Sequence, residues 1–159
     1  MSLRKDLTVG PVIALVLTIV VLLVVFVIIP IMQSTVSLKI SDGIFRARTA
    51  TSVVDRDKAF SNTDKLEDNQ AVLLAFPSED KWSVAVKDIR VPADIVWLDA
   101  EKKVVYALTN ISPDEFSTKE YYPKSAAKYM IEFTAGTVNS KSINKGSKAV
   151  FDIKEEDIE

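Results

Sequence analysis

The chain has 159 residues, with 20 basic and 22 acidic side chains and neither cysteine nor histidine. That composition excludes disulfides, thiol chemistry, a lipidated cysteine, a histidine-based triad and the usual zinc ligands; only an all-carboxylate calcium or magnesium site stays open. Beyond residue 32 there are 18 basic and 21 acidic groups, a net charge of −3, which offers no basic face to nucleic acid.

The first element is the run Val12 to Ile29, eighteen residues without a charge, eleven of them Val or Ile, inside an uncharged stretch from Leu7 to Leu38. A bilayer core of about 30 Å needs roughly 20 apolar residues in a helix. In water the Val and Ile content would favour strands, but in lipid the backbone must satisfy its own hydrogen bonds, so the run is expected to be helical. Pro11 suits a first turn, and Pro30 ends or kinks the helix near Ile29. Arg4 and Lys5 precede the run and the other flank has no charge until Lys39, so residues 1–10 are expected in the cytoplasm and the domain outside. A cleaved signal peptide has a shorter apolar region, roughly 7–15 residues, followed by an A-x-A pattern that is missing here. A buried soluble helix would be apolar on one face rather than all round. A pilin-like helix would carry an early glutamate. The expected plan is a cytoplasmic N-terminus (1–10), a transmembrane helix (11–32), a junction (33–36), a β-rich extracytoplasmic domain (37–153) and a frayed acidic tail (154–159). The chain then reads as a single-pass cell-membrane protein, with the lipid bilayer as partner through residues 11–32.

After the junction, Val36, Leu38 and Ile40 alternate with polar residues as a strand does. Asp42-Gly43 signals a hairpin turn, and Ile44 to Ala50 is the returning strand. Ser52 with Asp55 resembles a helix cap, which predicts a short helix through Asp55 to Phe60. Residues 61–70 are polar and loop-like. Ala71 to Phe76 is an apolar strand stopped by Pro77, and Trp82, Val84 and Val86 alternate as a second one. Asp94 to Asp99 and Lys102 to Asn110 form a hairpin across Ala100-Glu101. A surface loop fills 111–126, Ala127 to Phe133 is a strand, Thr137 to Ile143 a short helix, and Lys148 to Ile153 a last strand. No internal repeat is present. Seven short strands and two small helices predict a mostly β, β-rich α+β domain, antiparallel and barrel-like or sandwich.

Residues 82–99 read W-S-V-A-V-K-D-I-R-V-P-A-D-I-V-W-L-D. This resembles the central signature of an uncharacterised bacterial and archaeal family, number 192 among the domains of unknown function, close to F-W-M-K-N-T-x-I-P-L-D-I-x-F-x-D. Lys87, Pro92, Asp94, Ile95 and Asp99 match it. Ala71 to Phe76 is similar to the family's G-M-L-F-x-F strand, Tyr129 to Gly136 to its Y-V-L-E-L-P-A-G, and Ile143 to Gly146 to its G-I-x-x-G-D. Asp42-Gly43 and Ala50-Thr51 fit its opening hairpin. The resemblance spans about residues 36–152 and implies a compact β-rich fold without an established reaction. Asp88 replaces the usual Asn, Ala85 replaces the signature Trp, and the family's G-L-M-x-R segment is absent around Ala59 to Asn62. If that Arg or Asn carries a shared activity, this chain lacks it.

Lys87, Asp88 and Asp94 form the most promising polar group, since a lysine beside carboxylates is what acid–base or ligand-binding sites use. The plainer reading has Asp94 accepting backbone N–H bonds after Pro92 and Lys87 pairing with it. Trp82, Trp97, Tyr121, Tyr122 and Tyr129 offer a groove for a sugar or peptide. Trp97, between Val96 and Leu98, reads as core, whereas Tyr121 and Tyr122 are the candidates for an exposed contact. The acidic groups lack the spaced, Gly-containing pattern of a calcium loop, and four separated glycines make no phosphate loop, so neither metal nor cofactor is expected. The Asn110 sequon carries no mechanistic weight. Three functions follow. The first is a membrane-anchored domain binding a small ligand or an envelope protein; the second, an envelope enzyme using Lys87 and Asp94 as acid–base groups; the third, a structural envelope component.

Overall fold

The computed structural model of the chain describes residues 9–24, 34–59, 67–84, 91–113 and 120–159. Two compact units are present, Met1–Ser34 and Thr35–Glu159. In the first, α1 (Val9–Leu23) is a 15-residue helix with exposed side chains from Gly10 to Val24. The Thr18 hydroxyl donates to the Ala14 carbonyl at 2.9 Å, so its one polar side chain is satisfied within the helix. At 1.5 Å per residue α1 is about 22 Å long. Among the described residues no helix is long and apolar enough to cross a membrane. The expected span is helical through Leu23, and its residues 25–32 lie outside the described residues.

The second unit is mostly β. Its elements are β1 (Thr35–Ile40), β2 (Gly43–Ala50), α2 (Val53–Asp57), β3 (Gln70–Asp80), β4 (Ala93–Leu98), β5 (Val104–Ile111), β6 (Ala127–Thr134), α3 (Thr137–Ser140) and β7 (Ala149–Val150), with a closing 3-10 turn at Glu155–Asp157. The strands make one sheet in the order β5-β4-β6-β3-β2-β1-β7. All pairs are antiparallel except β2 and β3. The sheet curls into a half-barrel whose edges meet at one end, where Lys103 beside β5 bridges Lys148 beside β7. The Val104 amide donates to Ser147 O at 2.9 Å and the Ala149 amide to Lys102 O at 2.8 Å, so both edge strands find partners there.

β1 and β2 bury alternate residues, whereas β4 is buried along its whole length. β3, β4 and β6 therefore carry apolar side chains on both faces. Leu38, Phe45, Leu73, Val96, Ile131 and Phe133 fill the concave interior. Val72, Leu74, Phe76, Ile95, Trp97 and Met130 form a second cluster on the outer face. That outer cluster needs a cover, and the β2–β3 crossover supplies part of it, because a parallel pair cannot be joined by a tight turn and Ala59 packs into the cluster.

Several expectations need correction. The hairpin turn is Ser41-Asp42, with Ser41 in the left-handed region, while Gly43 pairs with Ile40 as the first residue of β2. Gly43 is required by space, since a Cβ there would collide with the Phe45 ring. β3 continues past Pro77 to Asp80, and its register with β6 shifts between Ala75 and Asp80, an interval where proline's missing N–H is harmless. Residues 81–84 form no strand beyond a single bridge from Val84 to Tyr121. Trp82 folds back instead, stacking on Phe76 at 4.6 Å and donating its Nε1–H to Ser78 O. β7 is two residues long. The acidic tail is not frayed: Glu155 pairs with Lys128 at 2.6 Å, Ile153 and Ile158 pack on the core, and the Glu159 amide donates to Thr51 O.

Candidate functional site

The outer face of the sheet holds a group that the periodicity of the sequence conceals. Glu132 in β6 pairs with Val72 on one side and Ile95 on the other, so its side chain enters the outer apolar cluster and is 1% exposed. Its Oε2 has no hydrogen-bond partner, alone in this respect among the described residues. Burial pushes its carboxyl up to about 8, against a smaller opposing pull from the Arg48 charge. At neutral pH Glu132 is therefore mostly protonated, a neutral O–H donor in an apolar wall.

Arg48 lies on the same cross-strand row, paired with Val72 in the strand between. It is half-buried, and its guanidinium donates to the Ala59 carbonyl. Glu132 and Arg48 thus share one face of the sheet, which the crossover meets at Ala59. The crossover carries α2, capped by Ser52, whose Oγ accepts from the Asp55 amide. Arg56 fastens this segment to the body, donating to Thr51 O, to Ala75 O at 2.9 Å and to Glu159 O at 2.6 Å. Its guanidinium also stands 5.3 Å from the centroid of the Phe76 ring. Partial burial lowers the Arg56 pKa, opposed by Asp57, Glu159 and Asp55.

Asp94 belongs to the opposite face. It pairs with Phe133 and is fully buried, with Oδ1 accepting from the Asn110 amide and Oδ2 from the Val138 amide, both at 2.8 Å. It ties β5 to the first turn of α3, so both carboxylate oxygens are occupied by backbone donors. This favours the plainer reading of Asp94, though the donors come from distant segments rather than from just after Pro92. Lys87 and Asp88 lie outside the described residues.

Trp97 is core, as its setting in β4 suggested, with its Nε1–H donating to Trp82 O at 2.9 Å. Tyr121 is half-buried at the bridge to Val84 and packs on the outer cluster. Tyr122 is 54% exposed. Its hydroxyl donates to Glu120 Oε2 at 2.7 Å, while Ser83 donates to Oε1 at 2.6 Å. Those two bonds, Ser83's first, lower the Glu120 pKa, and the Glu120 partner raises that of Tyr122. The described residues thus place Tyr121 on the face that holds Glu132, and Asp94 on the other. No group of acidic side chains able to hold a metal ion occurs among the described residues.

Sequence reasoning passed over Glu132 because Tyr129, Ile131 and Phe133 alternate with Lys128 and Glu132, the pattern of a half-buried strand. Two hints were available: Met130, an apolar residue on the supposedly wet face, and the Glu of the family's Y-V-L-E-L-P-A-G, which falls on Glu132.

The model of family DUF192, described as an uncharacterised ACR, matches residues 36–151. No curated protein matches the chain. Two solved structures share the fold. One is a candidate transcription regulator from Sinorhizobium meliloti, 14% identical, with a TM-score of 0.71 over 75% of this chain and 95% of that one. The other is a protein of unknown function from Novosphingobium aromaticivorans, 16% identical, with a TM-score of 0.67 over 74% of this chain and 84% of that one.

Proposed function

The chain belongs to the DUF192 family over residues 36–151, and from that premise we propose that it is a binding domain carried at a membrane surface by its apolar N-terminal run. The domain faces the extracytoplasmic side, and its ligand is a small molecule or a segment of an envelope protein. The observation that carries binding is the unpartnered, fully buried Oε2 of Glu132. A buried polar atom without a partner costs roughly 1–3 kcal/mol, and such atoms in native folds mark places where something else is meant to bond. The apolar run and the exposed side chains of α1 support the membrane placement. The acid–base alternative loses support, because Asp94 spends both oxygens on backbone amides.

Two measurements on the full chain test this reading. After expression in bacteria, the protein is expected to stay with the membrane fraction through alkaline carbonate washing; release into the wash would overturn the anchoring. In detergent, thermal melts against panels of small carboxylates, amines and sugars, with cross-linking in intact membranes alongside, are expected to show one class that raises Tm or one specific adduct. Flat melts across every panel together with no adduct would overturn the binding.

A further inference from the structure

We propose that Arg48 and Glu132 form a covered binding site for a ligand carboxylate, with the Ala59 carbonyl oxygen holding the ligand's place on Arg48. The proposal rests on the binding reading above and names its ligand class.

Three observations carry it. The first is the pair itself. Glu132 presents Oε2 without a partner inside an apolar wall. A carboxyl there favours its protonated form and offers one O–H donor. Arg48 brings a planar fork of donors that matches a carboxylate in two parallel bonds. A neutral acid beside a guanidinium leaves one positive charge on the pair, which an anion neutralises. A cationic ligand would have to strip the Glu132 proton and sit beside Arg48.

The second is the occupant already present. Arg48 donates through Nη2 to a carbonyl oxygen, that of Ala59, so one arm of the fork is already held by an oxygen acceptor of the kind a carboxylate would bring. A ligand carboxylate in that place supplies the same acceptor and adds the charge that neutralises the guanidinium.

The third is how the cover is held. α2 buries none of its own residues, and Val53 and Val54 are 58% and 59% exposed. Among the described residues the segment 51–59 is tied to the rest of the domain by polar bonds, Arg48 to Ala59 O at one end and, towards the other, Arg56 to Ala75 O and Glu159 O and the Glu159 amide to Thr51 O, with Ala59 as its buried apolar contact. Among the described residues the Ala59 end is held to the sheet by the Arg48 bond and the buried Ala59 methyl group, a far smaller hold than the core's. A ligand carboxylate that takes the Ala59 position on Arg48 accepts from that fork and, through its other oxygen, from the Oε2–H of Glu132.

The test titrates the full chain in detergent with acetate and, separately, with methylammonium. NMR follows the Arg48 guanidinium and the Ala59 amide, and calorimetry in two buffers of different ionisation enthalpy counts protons. Acetate is expected to shift both signals saturably without proton release. R48Q should weaken it by about tenfold or more, the loss of a charge-assisted fork. R48K, which keeps the charge but not the fork, should fall between and guards against a misfolded R48Q. E132Q keeps a donor at the same place and should stay within a few-fold of the native chain. Binding of methylammonium with release of a proton would overturn the carboxylate class while leaving the binding domain standing. Acetate shifts that persist unchanged in R48Q and R48K would overturn the site. No response to either probe would overturn the site, and with flat melts across the panels above and no adduct it would overturn both readings.

Discussion

Glu132 shows how one residue can be right for a strand and wrong for its surroundings. In the unfolded chain its carboxyl titrates near 4.5, and in the fold near 8. Between those values the fold holds a proton that the unfolded chain has released. Stability is therefore fully present below about pH 4.5 and falls as pH rises toward 8, by at most about 1.4 kcal/mol per unit. Glu132→Gln removes the titrating group and keeps the shape. Denaturant unfolding across about pH 5 to 8 should show the native chain losing a few kcal/mol that the variant keeps. A native-minus-variant difference that does not move with pH would mean that Glu132 titrates alike in the folded and unfolded chain, so that its carboxyl is not raised by the fold. Asp94, equally buried, has its two oxygens met by two backbone amides. A carboxylate so bonded keeps its place in a core where a bare one would not.

Among the elements, the tail and the crossover behave against their compositions. The tail's four carboxylates, terminal group aside, read as a solvated end, yet Ile158 within it, like Ile153 just before it, packs on the core. Glu155 holds both Lys128 and the Tyr129 hydroxyl. The Lys128 bond is the main cause of its lowered pKa, while Tyr129 is raised to about 12, chiefly by burial and then by Glu155. The ion pair alone contributes little, since Glu155 is exposed, but the isoleucine burial adds to it. Deleting residues 154–159 should therefore lower the melting temperature by roughly 5–10 °C, the scale of a loss of about 1–3 kcal/mol in a domain of this size. Calorimetry that finds no shift would restore the frayed description. The crossover is the converse case: α2 has the capping residues of a good helix but no apolar face turned inward, so what holds it is polar.

For the whole molecule, the division at Ser34 separates a helix of exposed apolar side chains from a domain with two apolar clusters of its own. A domain with its own core folds alone. A fragment of residues 35–159 should accordingly remain in solution and melt within about 2 °C of the full chain in detergent. A large drop would show that the N-terminal unit contributes to the fold. The half-barrel gives this domain an unusual interior. The Lys103–Lys148 bridge joins the sheet edges at one end, and Arg48 and Glu132 lie together on the outer face.

The sequence by itself determined the apolar run, most of the strand positions and the family pattern, because each is written in local periodicity and turn chemistry. The β4–β5 hairpin across Ala100-Glu101 and the core place of Trp97 were readable for that reason. Only the tertiary structure decided which faces are dry. A strand with water on one side and a strand covered on both differ in what lies above them, and that depends on chain far away in sequence. The pairing of β3 with β2 and β6 sets Arg48, Val72 and Glu132 in one row, and the outer cluster that Ala59 of the crossover joins makes the face of Glu132 a dry one. The same distance hid the role of Asp94, whose donors lie 16 and 44 residues away, beyond the reach of any local pattern.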